Sequence, residues 1–193
     1  MESTMRGPET EKSHDRRIKS GFYDEFMFGN GLDIGYRGSL KDAEPVLFSA
    51  IGIETDYPGY DGKTLPFSDE TYDYVFSSHC LEHIENYSQA INEWFRVIKV
   101  GGHLVITVPH KFLYEKKRDL PSRWNQDHKR FYTAGKLLTE IEISLIPNSY
   151  RVVFLRDNDD GYDYSIPPEK HAAGCYEIEL VLKKIKQPDW KLS

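Results

Sequence analysis

Three histidines stand where proton chemistry needs them: His79 in the run Ser77-Ser78-His79, His110 directly after Pro109, and His128 in Asp127-His128-Lys129-Arg130-Phe131-Tyr132. An imidazole titrates near neutrality, so each is a candidate general base for a hydroxyl proton. His128 is the first choice, with His110 and His79 behind it. Asp127 stands beside His128 and would raise its proton affinity if the two side chains met. His79 and His83 lie four apart with Glu82 between them, which on a helix puts both imidazoles on one face and raises the question of a metal ion. No third ligand is indicated, so no metal is expected, and His83 reads as a hydrogen-bonded structural histidine. A second kind of chemistry is nucleotide binding. Gly31-Leu32-Asp33-Ile34-Gly35-Tyr36-Arg37-Gly38 has the form of a strand ending in a glycine-rich turn, where a ligand can approach the backbone. Arg37 would instead suit a carboxylate or phosphate, as a planar fork of donors. Ala50-Ile51-Gly52-Ile53-Glu54 reads as a strand with an acid at its end, and such a carboxylate accepts hydrogen bonds from the two hydroxyls of an adenosine ribose. Asp56 takes that role if the strand runs one or two residues longer.

The elements that must position these groups centre on Asp61 to Pro109. Tyr74-Val75-Phe76 reads as a short strand and Ser77-Ser78-His79 as the polar turn at its carboxyl end, where open α/β sheets place their ligands. Ala90, Ile91, Trp94, Phe95 and Ile98 fall on one face of a helix. After a Gly101-Gly102 turn, Leu104-Val105-Ile106-Thr107-Val108 is a continuous run ended by Pro109, the pattern of a strand buried on both sides. Strand, helix and strand in about 35 residues make one right-handed βαβ unit with parallel strands. Downstream, the spacing predicts a helix from Ala134 to Leu145 capped by Thr133, and strands at 151–155 and 176–182. The stretches 110–133 and 157–174 are long polar and aromatic connections, candidate substrate loops at the ligand edge. Between Glu54 and Asp61 there is no room for a helix and a further strand, so the sheet is trimmed there. Residues 1–12 read as mobile, 13–28 as a short helix or cap on the sheet, and 186–193 as a tail in which Trp190 docks or dangles.

The order Leu65-Pro66-Phe67, Tyr72-Asp73-Tyr74-Val75, Leu81-Glu82-His83, Glu93-Trp94-Phe95-Arg96-Val97-Ile98-Lys99 and Gly101-Gly102 resembles the small class I S-adenosylmethionine-dependent methyltransferases. The resemblance covers about 50 residues directly, and Asp33 to Thr133 more loosely. It implies a Rossmann-like α/β fold: a mostly parallel twisted sheet with a final antiparallel pair, helices on both faces, and a shortened region around the third strand. It implies S-adenosyl-L-methionine as cofactor, with Asp33, Gly35, Tyr36, Arg37, Gly38, Glu54, Asp61, Gly62, Leu65, Ser77 and Ser78 around it. Arg37 departs from the family's alternating glycines, with Gly38 one position later. The resemblance favours Glu54 as the ribose acid and sets Asp61 and Gly62 on the adenine side. Arg16, Arg17 and Tyr23 belong to a segment that often covers the cofactor in this family. Tyr114, Arg123, Trp124, Asp127 and Tyr132 fall in its substrate loop.

The chain of 193 residues is enough for one domain. Its formal net charge of -6 argues against a broad nucleic-acid interface. The basic clusters at 16–19 and 116–118 read as solvated faces. Cys80 and Cys175 suggest neither a disulfide framework nor a metal knuckle. No apolar segment reaches membrane-span length and the first 20 residues are too polar for a secretory signal, so a cytoplasmic protein, monomer or homodimer, is expected. The reading is a methyltransferase acting on a small polar acceptor, a sugar or another biosynthetic intermediate, most plausibly at oxygen. The alternatives are a methyltransferase-like scaffold without turnover, or an enzyme that uses S-adenosylmethionine for other chemistry.

Overall fold

The apolar run Leu104–Val108 needs cover on both faces, and it has it. In the computed structural model, which describes residues 8–36, 45–47 and 49–190, this run forms the middle of β4 (Ile98–Pro109), between β3 (Tyr72–Ser78) and β6 (Glu177–Lys184). With β1 (Gly31–Ile34), β2 (Ala50–Ile53) and β5 (Tyr150–Asn158) the sheet order is β2-β1-β3-β4-β6-β5. Strands β2, β1, β3 and β4 run parallel, and β6 lies antiparallel between β4 and β5. The polypeptide passes from β2 to β3 through turns alone, so the expected trimming is present. Tyr57, Tyr60 and Phe67 fill the space with their rings and pack on the core.

Strand periodicity divides the core in two. Val75, Leu104, Ile106, Ile178, Leu180 and Leu182 face α3 (Tyr87–Arg96) and α4 (Ala134–Ser144), which supply Ile91, Trp94, Leu137 and Ile141. Tyr74, Phe76, Val105 and Val181 point to the other face, where α2 (Phe22–Phe26) contributes Phe22, Tyr23 and Phe26. The helix starts are fixed by side chains: Asn86 accepts from Gln89 N at 3.2 Å, and Thr133 caps α4 from Lys136 N at 3.3 Å. Gly102 is required by close approach, since a Cβ there would stand 2.4 Å from the Asp73 carbonyl oxygen.

Three expectations need correction. Residues 99–102 bulge within a continuous β4 instead of closing a turn, as the pairing jumps from Tyr72↔Ile98 to Tyr74↔His103. Residues 8–12, read as mobile, open the helix α1 (Pro8–Lys19). The helix persists because its next residues meet β6: Lys12 donates to the Tyr176 hydroxyl and Ser13 to Glu177. The stretch from His79 to His83 is not an α-helix, since residues 81–83 form a single 3-10 turn, so the helix-face argument for imidazoles four apart does not apply. Trp190 is exposed. Both described cysteines are free thiols, and no helix among the described residues is long and apolar enough to cross a membrane.

Packing of α1 against the sheet is polar at its centre. Arg17 is fully buried and donates to Glu177 at 2.7 Å and Glu179 at 2.9 Å. Burial opposes the guanidinium charge, but the two carboxylates outweigh it and raise the Arg17 pKa. Burial likewise opposes the Glu177 charge, while Arg17 and His79 outweigh it and hold the carboxyl well below its usual range. Arg17→Met therefore strands two buried carboxylates and should cost about 3–5 kcal/mol in urea unfolding at neutral pH. A depressed carboxylate pKa stabilises above the unfolded value and loses that contribution as pH falls, so the stability gap between wild type and variant should narrow as pH is lowered. A loss below about 1 kcal/mol would show that the pair does not hold α1.

Candidate active site

The carboxyl ends of β1, β2 and β3 converge on one edge of the sheet. Asp33 near the end of β1 is buried and accepts from Val46 N at 2.8 Å; burial pushes its carboxyl up to about 7. The following Gly35 has φ +72 and donates its N–H to Ile53 O at 2.8 Å. A Cβ there would lie 2.9 Å from Cys80 Sγ, so the turn closes on the segment after β3 only as glycine. Tyr36 lays its ring over Gly52. Because β2 ends at Ile53, Glu54 is the first residue beyond the strand, which favours it over Asp56 as the strand-end acid. Its charge acts on both Cys80 and Tyr60. Burial, Glu82 and Glu54 push the Cys80 thiol up to about 12, so this sulfur is protonated at neutral pH and is no nucleophile.

Asp61 is exposed and closes a turn by accepting from Lys63 N and Thr64 N at 2.9 and 2.6 Å, bonds that hold its carboxyl below the usual range. Gly62 lies in that turn at φ +79. Leu65 sits inside the core, its backbone clamped by Glu93 and Arg96. Ser77 and Ser78 are buried at the end of β3, with Ser78 accepting from Thr107 Oγ1 at 2.9 Å. Arg37 and Gly38 lie outside the described residues.

A second group of side chains adjoins this turn. His79 leaves β3 at φ +49, a left-handed backbone that costs a non-glycine residue about 1 kcal/mol or more. The turn aims its ring between two acids, with Nε2 3.2 Å from Glu177 and Nδ1 3.9 Å from Glu82. Glu82 is buried in the 3-10 turn, and burial raises its pKa against the pull of His79 and His128. His128 arrives from the long loop with Nδ1 2.5 Å from Glu115 and Nε2 3.9 Å from Glu82. Arg130 delivers it by donating to the carbonyls of Leu81, Ile84 and Glu85, while Lys129 N donates to Glu82 O at 2.8 Å. His83 stands edge-on to His128 with centroids 4.8 Å apart. Burial and the neighbouring His128 lower its pKa to about 4, so it is neutral at pH 7.

The two long loops build a joint wall. Lys111–Glu115 forms one π-helical turn, and Leu113, Tyr114, Ala172 and Tyr176 make a small core of their own with Trp124 and Tyr162 against it. Arg123 is exposed and donates to Pro168 O at 2.9 Å, and Tyr162 to Leu113 O at 2.8 Å. Tyr114 stacks near both His128 and Tyr176.

Several expected roles change. The partner of His128 is Glu115, because Ser122 and the π turn point that acid inward, while the Asp127 side chain is exposed. His110 faces away from the cluster: its Nδ1 accepts from Phe112 N at 3.2 Å and its Nε2 lies 3.8 Å from Asp157. Tyr132 is fully buried beneath α4 and donates to Glu140 at 2.7 Å, which makes it a core residue. The third imidazole at Glu82, absent from the local spacing, comes from His128. Glu115, Glu177 and Arg130 were not singled out from sequence. The pair Glu177 and Glu179, on one side of an otherwise apolar strand, was the available signal for buried cations nearby.

Asp33 yields a test. Its raised pKa means the folded protein binds more protons than the unfolded chain between about pH 4 and 7, so this group's stabilising contribution is lost as pH rises through that window. Denaturation of the protein and Asp33→Asn from pH 5 to 8 should show the wild type losing stability relative to the variant as pH rises, with a slope up to about 1.4 kcal/mol per pH unit. Parallel curves would contradict the buried-acid account.

Comparison with known proteins bears on the fold and on the central segment. Residues 45–106 match the family model of the methyltransferase domain. A probable S-adenosylmethionine-dependent methyltransferase of Mycolicibacterium smegmatis is 31% identical over 78 residues, 40% of this chain and 30% of that protein. A ubiquinone/menaquinone biosynthesis C-methyltransferase of Vibrio vulnificus is 32% identical over 75 residues, 39% of this chain and 26% of that protein. The chain thus spans less than a third of the length of these curated relatives. Among solved structures, an S-adenosylmethionine-dependent methyltransferase from Aquifex aeolicus superposes with a TM-score of 0.57 at 14% identity, over 91% of this chain and 93% of that one. The fold is therefore the Rossmann-like class I methyltransferase fold, and the central segment carries the methyltransferase-domain signature.

Proposed function

We propose that this chain, with the class I methyltransferase fold as its premise, transfers a methyl group from S-adenosylmethionine to a small polar acceptor, at oxygen. The observation that carries the reading is the contact between two half-sites: the Gly35 turn closes on Cys80, whose sulfur feels both Glu54 on one side and Glu82 on the other. The residues fit the cofactor. A Cβ-free turn permits backbone approach, and Glu54 stands free of the strand to accept from ribose hydroxyls. When bound, S-adenosylmethionine supplies an activated methyl group. The protein's own task is then to hold an acceptor atom about 3 Å from that carbon, in line, and to handle its proton. His128, held by Glu115, is the residue assigned to that proton, with His79 beside Glu82, the acid that His128 Nε2 also faces. Tyr114, Trp124 and the loop 157–174 line the acceptor side.

A second reading is C-methylation of an aromatic ring. The Vibrio relative carries that activity in its name, and Tyr114, Trp124, His171 and Tyr176 pack their rings together beside His128, Tyr114 and Tyr176 being buried. Product structure separates the two, since nuclear magnetic resonance assigns the new methyl to oxygen or to ring carbon.

Cofactor binding comes first. Loss of two hydrogen bonds to a charged group in Glu54→Ala should weaken S-adenosylmethionine by about 100-fold or more in calorimetric titration, at about 1.5–3 kcal/mol per bond. Unchanged affinity in the variant, or no binding to folded wild-type protein, would overturn the reading.

A further inference from the structure

Glu82 has surroundings that hydrogen bonding does not explain. Its side chain is 1% exposed and neither carboxylate oxygen has a hydrogen-bond partner among the described residues. Three imidazole nitrogens nevertheless converge on its Oε1: His83 Nε2 at 3.7 Å, His79 Nδ1 at 3.9 Å and His128 Nε2 at 3.9 Å. These separations are too long for hydrogen bonds. An imidazolium paired with this carboxylate would close to about 2.7–2.9 Å, as charge-assisted bonds do. The same His128 ring does close on Glu115, at 2.5 Å, and leaves its other nitrogen standing off from Glu82. Donors around a tetrahedral ion with bonds of about 2.0–2.1 Å stand roughly 3.3–3.4 Å apart, so the separations of 3.7 Å for Glu82–His83 and 3.9 Å for Glu82–His128 need a modest contraction to hold one.

We propose that Glu82, His83 and His128 form a binding site for one divalent transition-metal ion, with Zn²⁺ the best match. One donor atom from each lies within 4.8 Å of the other two. Two imidazoles and one carboxylate suit a borderline-soft ion and leave a fourth position open. The outer shell is built as such sites require. Glu115 holds His128 Nδ1 and is itself held by Ser122 Oγ at 2.7 Å, the carboxylate–histidine–metal arrangement that fixes the ring and its tautomer. Glu177 orients His79, the flanking imidazole, in the same manner at 3.2 Å. A dication also answers the electrostatic problem of Glu82 and Glu115 buried near one another. The half-exposed His83 gives the ion its way in.

Metal binding stands independently of methyl transfer; its use rests on that reading. A hydroxyl oxygen of the acceptor in the open position would lose its proton to solvent at neutral pH. The oxyanion would then form the O–CH3 bond as the C–S bond breaks, its electron pair staying on sulfur. In this arrangement His128 would hold the ion, and the proton would leave to solvent without passing through its ring, since Nδ1 faces Glu115 and Nε2 the ion.

The test uses full-length protein stripped with a chelator and titrated calorimetrically with Zn²⁺, Mn²⁺ and Fe²⁺ separately, without S-adenosylmethionine. One equivalent of Zn²⁺ should bind, binding should be lost in His83→Ala and Glu82→Gln, and Glu115→Gln should weaken it 10- to 100-fold. His103→Gln, at the far end of β4, should bind as wild type does. His83→Ala alters a half-exposed ring, so circular dichroism should show it folded. No binding of any of the three ions, or binding undiminished in folded His83→Ala, would overturn the site. Cofactor titration of the same protein, read separately, keeps a failure here distinct from a failure of the methyltransferase reading.

Discussion

A carboxylate removed from water must be compensated, and Glu82 is where this molecule meets that constraint. Desolvating such a group costs several kcal/mol even after relaxation, so the groups around it are not free to vary independently. The 3-10 turn carries the acid, the end of β3 carries His79 in a left-handed conformation, and the long loop carries His128. Arg130 ties that loop to the turn through three carbonyls, so the backbone around the acid is fixed by the same segment that supplies an imidazole.

The constraint extends outward through charge. His79 leans on Glu177, Glu177 on Arg17, and Arg17 on Glu179, which places α1 in electrical contact with the ligand edge through side chains that are almost wholly buried. Ser13 and Asn158 complete this group with hydrogen bonds. Replacing such a buried ion network by apolar side chains of equal volume is often neutral or stabilising, whereas removing one partner alone is costly. The Phe and Tyr side chains of α2 provide the apolar anchorage that lets α1 carry polar contacts.

The fold was legible because its signals are local. The run Leu104–Val108 and the helical spacing from Ala90 to Phe95 give the βαβ unit, and the short passage from Glu54 to Asp61 gives the trimmed sheet. The site was half legible. Asp33 lies within β1 next to its last residue, and Gly35 and Glu54 directly follow β1 and β2, so their placement comes with the strands. The partners of the histidines do not. Glu115 reaches His128 across 13 positions and Glu177 reaches His79 across 98, and nothing in spacing or composition fixes such pairs. Asp127 stands next to His128 in sequence, yet it lies in the turn that Asn125 closes, with its side chain exposed while the His128 ring is buried. Tyr132 follows Phe131 into the interior, both being buried, and its hydroxyl donates to Glu140 of α4.

The central claim is that the Gly35 turn and the Glu82 cluster are two halves of one site joined at Cys80. The most direct measurement is a crystal structure of the complex with S-adenosylhomocysteine. The account predicts its ribose hydroxyls on Glu54, its homocysteine end over the Gly35 turn, and its sulfur directed at the mouth formed by His79, Glu82 and His128. A ligand seated elsewhere on the sheet, or one whose sulfur points away from that cluster, would contradict it.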